Sequence, residues 1–284
     1  MILEPSIPAA KAVIDSWRGN RESIALVPTM GYFHDGHLAL MRQARRAADR
    51  TVVSLFVNPT QFGPNEDLDV YPRDFDGDCK KAGDAGVDLI FCPEPVSMYQ
   101  PGHLTTVSVS GLTEDLCGRD RPVHFSGVAT IVAKLFNIIE PDMAFFGEKD
   151  FQQLIVIRRL VEDLNFNISI TGVPTVREVD GLAMSSRNAY LDEFERGEAV
   201  VLYRALQTVR EKVIGAENIV DCETLIKMGK AMIEESPVCA VEYFSIVDEQ
   251  TLTPRRIVSG TCRAVGAINV NGRIRLIDNM ALHG

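Results

Sequence analysis

Ile24-Ala25-Leu26-Val27-Pro28-Thr29-Met30-Gly31-Tyr32-Phe33-His34-Asp35-Gly36-His37 runs from an apolar segment into a turn holding two glycines and two histidines. Ile24 to Val27 reads as a buried strand. After the turn, Leu38, Met41, Ala44 and Ala48 recur at helical spacing. The turn therefore joins a strand to a helix, with Asp35 expected as N-cap and His37 in the first helical turn. Free backbone N–H groups and the helix dipole make such a place a seat for an anion such as phosphate.

The same alternation extends outward. Lys11 to Trp17 is a short helical candidate stopped by Gly19. Thr51 to Val57 is a second buried strand, ended by Asn58-Pro59, and Thr60 to Tyr71 is a long polar loop. Asp74 to Gly86 is a glycine-weakened helix, Val87 to Cys92 a strand, and Thr105 to Val109 a short further strand. Ser126 to Glu140 is a helix with Val128, Ile131, Val132, Leu135 and Ile139 on one stripe and Ser126 as its N-cap. Met143 to Phe146 is a strand, Phe151 to Leu164 a helix and Ile168 to Val173 a strand. Apolar strands alternating with amphipathic helices imply an α/β, doubly wound parallel sheet covered on both faces. Ligands bind such sheets beyond the carboxyl ends of the strands, near a switch point. The loops of interest are thus 28–37, 58–71, 147–150 and the segment from Pro174.

The texture changes after Val176. Glu193 to Ile214 and Ile219 to Glu235 read as surface helices and Ala240 to Val247 as a strand. Arg263 to Asp278 reads as a hairpin, because Asn271-Gly272 between alternating runs suits a type I′ turn. Two domains are expected, 1–176 and a smaller α+β lid at 177–284.

The chain has 284 residues, 46% hydrophobic and 24% charged, with a net charge of −10. That balance argues against an extended nucleic-acid surface, which needs a basic patch. Six cysteines, at 79, 92, 117, 222, 239 and 262, form neither C-x-x-C nor a zinc pattern, and read as free thiols in a reducing compartment. Met1 to Pro5 lacks a basic stretch leading into an apolar core, so no signal peptide is expected. No apolar run approaches the roughly 20 residues of a membrane helix. A cytoplasmic protein with no membrane partner is the expectation.

His34 and His37, at i and i+3, suit three roles: a metal pair lacking a nearby third ligand, two structural hydrogen-bonding side chains, or phosphate donors at a helix N-terminus. The phosphate role is preferred, since Gly31 and Gly36 let backbone approach the ligand and imidazoles stabilise developing charge. Gly147-Glu148-Lys149-Asp150-Phe151-Gln152-Gln153 lies at another strand-to-helix turn, where a lysine neutralises a triphosphate or a solvated loop simply carries charge. No G-x-x-x-x-G-K-[ST] and no G-x-G-x-x-G occurs. Met184-Ser185-Ser186-Arg187-Asn188 offers hydroxyls and a guanidinium to phosphate oxygens, or is surface sequence. Asn58 and Gln61 either bond a small polar substrate or cap a turn. Arg119 to Phe125 could hold an acidic ligand or be a surface loop.

Taken in order along essentially the whole chain, Pro28–His37, Asn58–Phe62, Tyr71–Asp74, Arg121–Gly127, Gly147–Gln153 and Met184–Tyr190 resemble the pantothenate synthetase family. The H-x-G-H turn alone marks a wider superfamily of nucleotidylyltransferases and class I aminoacyl-tRNA synthetases. The combination with Gly-Glu-Lys-Asp-Phe-Gln-Gln and Met-Ser-Ser-Arg-Asn is far more specific. The resemblance implies a Rossmann-like domain of the HxGH nucleotidylyltransferase type and an ATP-dependent, AMP-forming ligation of pantoate to β-alanine through pantoyl adenylate. It implies ATP contacts from Met30, Gly31, Tyr32, Phe33, His34, Asp35, Gly36 and His37. Further ATP contacts are implied from Gly147, Glu148, Lys149, Asp150, Val176 (by backbone), Met184, Ser185, Ser186 and Arg187. His37, with His34 and Lys149, would be catalytic. Gln61 and Gln153 would bind pantoate, Gln61 also lying near the β-alanine site, with Asn58 a further substrate contact. Mg²⁺ on the phosphates and a homodimer paired through the N-terminal domain complete what the family implies, with no dedicated metal site in the protein. Tyr32 and Phe33 stand where smaller residues are often found. The competing reading is a nucleotidyltransferase of the same superfamily, in which AMP stays on the product.

Overall fold

The structure is a computed structural model that describes residues 1–64, 66–216 and 220–283. Asn65 of the expected 60–71 loop, Ile219 at the expected start of a helix, and Gly284 lie outside the described residues. The chain divides into two compact units, Met1–Glu148 with Gln152–Pro174, and Lys149–Phe151 with the chain from Thr175 onward.

The first unit is built on six strands, β1 (Ile2–Glu4), β2 (Ile24–Thr29), β3 (Arg50–Leu55), β4 (Leu89–Phe91), β5 (Met143–Gly147) and β6 (Ser169–Val173). They lie side by side in the order β1-β4-β3-β2-β5-β6, every neighbouring pair parallel. Between them run α1 (Ile7–Gly19), α2 (Asp35–Ala47), α3 (Phe75–Asp84), α4 (Pro95–Met98), α5 (Cys117–Asp120), α6 (His124–Ile139) and α7 (Phe151–Asp163). Successive strand residues point to opposite faces, and both faces are covered. Ala25, Val27 and Val53 pack against Leu40, Met41 and Ala44 of α2 and Ala82 of α3. Leu26 and Val52, on the opposite face, are equally buried, and α6 packs there against β2 with α1 behind it. The strand order reverses between β2 and β5, so the turns leaving these adjacent strands flank the switch point.

Several expectations need correction. Residues 105–109 form no strand; the segment is instead tied to α6, where Thr130 Oγ1 accepts the Val107 N–H at 2.9 Å. Ser126 is not the cap of α6: the helix starts at His124, and the Ser126 hydroxyl donates to the Val123 carbonyl at 2.9 Å. Helix α1 begins a turn before Lys11, with Pro8 in the opening turn, where its missing N–H goes unused. β1 gave no sequence signal, being three residues long and largely exposed at the sheet edge.

The second unit holds α8 (Glu193–Glu198), α9 (Val201–Ile214), α10 (Cys222–Glu234) and the antiparallel sheet β7 (Cys239–Asp248), β8 (Cys262–Val270), β9 (Ile274–Ala281), in that order. The single helix expected over 193–214 is interrupted at Ala199 and Val200, which places both residues in the core. Leu202, Leu206 and Val209 of α9 and Leu225 and Ile233 of α10 share that core with Phe244, Ile246, Ala264, Ile268 and Leu276 of the sheet. The β8–β9 turn has positive φ at Asn271 (50°) and Gly272 (69°) and is closed by the Arg273 N–H on the Val270 carbonyl at 3.1 Å.

Candidate active site

Strand β2 delivers the chain into a left-handed turn, with φ of 88° at Gly31 and 54° at Tyr32. Asp78 of α3 grips it: Oδ2 accepts the Tyr32 N–H at 2.7 Å and Oδ1 the Phe33 N–H at 2.6 Å. A Cβ at Gly31 would lie 3.0 Å from that Oδ2, so glycine is needed for space as well as for φ. Lys81, one turn further along α3, donates to the Phe33 carbonyl at 2.8 Å. Burial pushes the Asp78 carboxyl above its ordinary value, against the opposing pull of the two N–H bonds and Lys81. Phe33 is itself buried, its ring 5.4 Å from that of His37.

Helix α2 is capped by His34 rather than Asp35. His34 Nδ1 accepts the Gly36 N–H at 3.2 Å, and His37 Nδ1 accepts the His34 N–H at 3.3 Å. This reciprocal capping box satisfies two backbone donors, which an Asp35 cap would not do. Asp35 takes the first helical position, exposed, where a carboxylate favours the dipole. With both Nδ1 lone pairs engaged, the proton of either ring, when the ring is neutral, sits on Nε2. The ring centroids are 4.1 Å apart.

The loop after β3 is organised around Gln61. Asn58 Nδ2 donates to the Gly127 carbonyl and to Gln61 Oε1, each at 3.1 Å. Asn58 Oδ1 accepts from Tyr99 at 2.8 Å and Thr60 at 3.0 Å. The carbonyl acceptor on Gly127 orients the Asn58 amide, which in turn makes Oε1 of Gln61 the acceptor. Gln61 Nε2 is left on the Met30 thioether, a weak acceptor, at 3.1 Å. Asn58, expected to touch substrate, has all four hydrogen-bonding positions taken within the protein. Arg121 and His124 both reach the Gln61 carbonyl, at 3.3 and 3.0 Å. Arg121 also pairs with Glu66; burial pushes that carboxyl up, and the arginine's hydrogen bond and charge bring it below the ordinary value. A Cβ on Gly127 would fall 2.4 Å from the Thr60 carbonyl oxygen, so only glycine lets α6 lie against this turn.

Beyond β5, Glu148, Lys149 and Asp150 form a single 3-10 turn, with the unit boundary between Glu148 and Lys149. The adjacent glutamines differ. Gln152 is buried, donating to the Leu112 and Asp115 carbonyls at 2.9 Å and accepting the Cys117 N–H at 3.1 Å. Gln153 is half-buried, and its side chain makes no hydrogen bond among the described residues.

In the second unit, Val176 to Met184 is a hairpin-like loop. The Met184 N–H donates to the Val176 carbonyl at 3.0 Å, and Arg177 bridges Ala183. Ser185 Oγ accepts the Arg187 N–H at 3.3 Å and caps the 3-10 turn Ser186–Tyr190; Ser186 is buried and Arg187 half-buried. Lys149 and Ser185, distant in sequence, line one small cavity with Asn188 and Asp278. Asn188 Oδ1 is buried there without a hydrogen-bond partner among the described residues. The Lys149 ammonium is 3.7 Å from the Asp150 carboxylate. Arg177 forks onto Asp278 at 2.6 and 2.9 Å and donates to the Gly181 carbonyl at 3.0 Å. Asp78, Lys81, Asp278 and Asn279 drew no notice in the sequence, because each acts on a partner far away along the chain. Among the described residues, no three His, Cys, Asp or Glu side chains converge to hold a metal, and no helix is long and apolar enough to cross a membrane.

A family model described as pantoate-beta-alanine ligase matches residues 4–281. The pantothenate synthetase of Heliobacterium modesticaldum is 53% identical over 260 residues, 92% of each chain. The crystal structure of pantothenate synthetase from Thermus thermophilus superposes with a TM-score of 0.94 at 44% identity, over 100% of both chains. That of the Francisella tularensis pantoate-beta-alanine ligase, described as complexed with beta-gamma ATP and beta-alanine, gives a TM-score of 0.81 at 31% identity, covering 100% of this chain and 99% of that one. With its parallel sheet, its capped histidine pair and a match along almost its whole length, the chain belongs to the pantoate-beta-alanine ligase family.

Proposed function

We propose that the protein condenses pantoate with β-alanine in two steps. A pantoate carboxylate oxygen attacks the α-phosphorus of ATP, and pyrophosphate leaves. The β-alanine amine then attacks the acyl carbon of pantoyl adenylate, the acyl C–O bond breaks, and AMP departs as the amide forms.

The histidine tautomers carry this reading. Two imidazoles whose Nδ1 atoms each accept a backbone N–H, at a helix N-terminus on one side of the switch point, suit a phosphoryl group gaining negative charge. Donors fixed before the reaction need no reorganisation during it. Met30, Gly31, Tyr32, Phe33, His34, Asp35, Gly36 and His37 are assigned to ATP, with His37 and His34 as catalytic donors. Gly147, Glu148, Lys149, Asp150, Val176, Met184, Ser185, Ser186 and Arg187 complete the nucleotide contacts, Lys149 neutralising phosphate. Gln61 and Gln153 are assigned to pantoate: one amide N–H rests on a thioether and the other side chain makes no bond among the described residues, so both gain from a polar ligand. Asn58 serves by orienting Gln61. Residues 1–176 are taken as the ATP- and pantoate-binding domain and 177–284 as the smaller one, although Lys149–Phe151 and Thr175–Val176 belong to the second compact unit.

Mg²⁺ takes oxygen ligands, chiefly phosphates and waters with one or two carboxylates, so the ion would arrive on the nucleotide. Asp150, whose carboxylate lies 3.7 Å from the Lys149 ammonium, would be a carboxylate for that ion. When bound, the ion neutralises phosphate charge. Six free thiols support a reducing, cytoplasmic setting, and the family resemblance supports a homodimer.

The test is an incubation with ATP, pantoate and β-alanine, each omitted in turn. AMP and pantothenate formed in equal amounts support the proposal; a stable adenylylated product supports a nucleotidyltransferase and sinks it.

A further inference from the structure

The cavity that Lys149 shares with Ser185 has a wall of β9, and the two consecutive β9 residues Asp278 and Asn279 bond to both nucleotide-binding segments of this unit. Both are buried, at 4% exposure. As neighbours on a strand they point to opposite faces. Asp278 takes the Arg177 fork, and Arg177 holds the Gly181 carbonyl, so this residue fixes the Val176–Met184 loop. Asn279 Nδ2 donates to the Lys149 carbonyl at 2.9 Å. Its amide cannot turn over freely, because Arg263 donates to Asn279 Oδ1 at 2.7 Å and is itself anchored to Glu249 at 2.8 Å and over the Phe151 ring at 4.1 Å. The backbone also links the pair: the Asn279 N–H donates to Asp278 Oδ1 at 2.7 Å. Lys149 thus has its main chain tied to the same strand that anchors the 176–184 loop.

We infer that Asn279 is a positioning residue for the ligase reaction. By holding the Lys149 main chain it sets where the ammonium points, in register with the loop that Asp278 and Arg177 hold. The inference rests on the proposed role of Lys149 on the ATP phosphates. It goes beyond that role in making phosphate contact depend on a side chain 130 residues away, acting through the Lys149 carbonyl.

The experiment is a double-mutant cycle on the full-length protein, with Asn279→Ala, Lys149→Met and the pair. Adenylation is read as pantoate-dependent ATP–pyrophosphate exchange, and the second step as β-alanine consumption of preformed pantoyl adenylate. Asn279→Ala is expected to slow exchange roughly 10- to 100-fold, the scale for misplacing a group at a reacting centre, and to affect the second step far less. In the Lys149→Met background, Asn279→Ala should change exchange by no more than about twofold, since its effect passes through the lysine. Should Asn279→Ala not fold, Asn279→Asp keeps an acceptor for Arg263, removes the donor to Lys149, and carries the same expectation. Exchange within about twofold of the unsubstituted protein, or the same fractional loss in both backgrounds, would overturn the inference. A purely structural role would slow both half-reactions alike and also overturns it. If the unsubstituted protein shows no pantoate-dependent exchange, the functional reading has failed instead.

Discussion

Asp78 Oδ1 accepts the Phe33 N–H at 2.6 Å, across 45 residues of sequence, so the shape of the histidine turn is held from α3, which also places Lys81 on the Phe33 carbonyl. Asp78→Asn keeps one acceptor and sets an NH₂ group against the second backbone donor. Adenylation should fall about 10- to 100-fold, and stability by about 1–3 kcal/mol. The pH dependence has a definite sign. Burial raises the folded-state pKa above 3.8, so the carboxyl's contribution to stability is full below that value and lost as pH rises through the folded pKa. The stability of the native sequence relative to Asp78→Asn, from urea unfolding, should therefore decline from about pH 4 toward neutrality; a difference that grows with pH contradicts the assignment.

The histidine assignment has its own test. Nitrogen-15 NMR of the free protein at a pH where both rings are neutral should report the Nε2–H tautomer for His34 and His37. His37→Ala should slow adenylation by roughly 10²- to 10⁴-fold. An Nδ1–H tautomer in either ring, or near-normal pyrophosphate release by the variant, would remove the donor role.

Gln152 and Gln153 are adjacent and should respond differently. Gln153→Ala is expected to raise the KM for pantoate more than that for ATP. Gln152→Ala removes the side-chain partner of the Leu112 carbonyl and of the Cys117 N–H and leaves the Asp115 carbonyl with the Gly118 N–H alone, and should lower stability by about 1–3 kcal/mol. Equal KM effects for both substrates in Gln153→Ala count against its assignment, and unchanged unfolding of Gln152→Ala against that residue's role as a staple.

Much of this was legible in the residues themselves. Apolar runs such as Ile24–Val27 and the stripe on residues 126–140 revealed the alternating parallel architecture, because burial on both faces demands uninterrupted apolar strands. Asn271-Gly272 marked its turn because few residue pairs accept two positive φ values. Helix caps were less legible. His34 displaced Asp35 through a bond to His37, and Ser126 turned its hydroxyl back to Val123, choices that depend on tertiary fit. What the sequence hid was long-range pairing: Asp78 with Tyr32, Asn58 with Gly127, Asn279 with Lys149. A carboxylate or amide carries no local sign of the partner that folding will bring to it.

Asp248 offers a stability test within the second unit. It accepts the Gln250 and Thr251 N–H groups at 2.9 and 2.8 Å and pairs with Arg255. The Thr251 N–H bond leads the effects that outweigh burial and hold its carboxyl down, at about 2. This is the opposite sign to Asp78: the stabilisation is present above the unfolded value of 3.8 and lost as pH falls through about 2. Asp248→Asn should lose stability at neutral pH, and the gap to the native sequence should narrow as pH falls below about 4. A gap that does not depend on pH would contradict the pairing.

The central claim is that pantoate is activated by its own carboxylate oxygen bonding to the α-phosphorus. Pantoate labelled with ¹⁸O in the carboxylate tests it directly. Amide formation breaks the acyl C–O bond, so mass spectrometry should find one labelled oxygen in each AMP and none in pyrophosphate. AMP free of label, with pantothenate formed, would contradict the acyl-adenylate route.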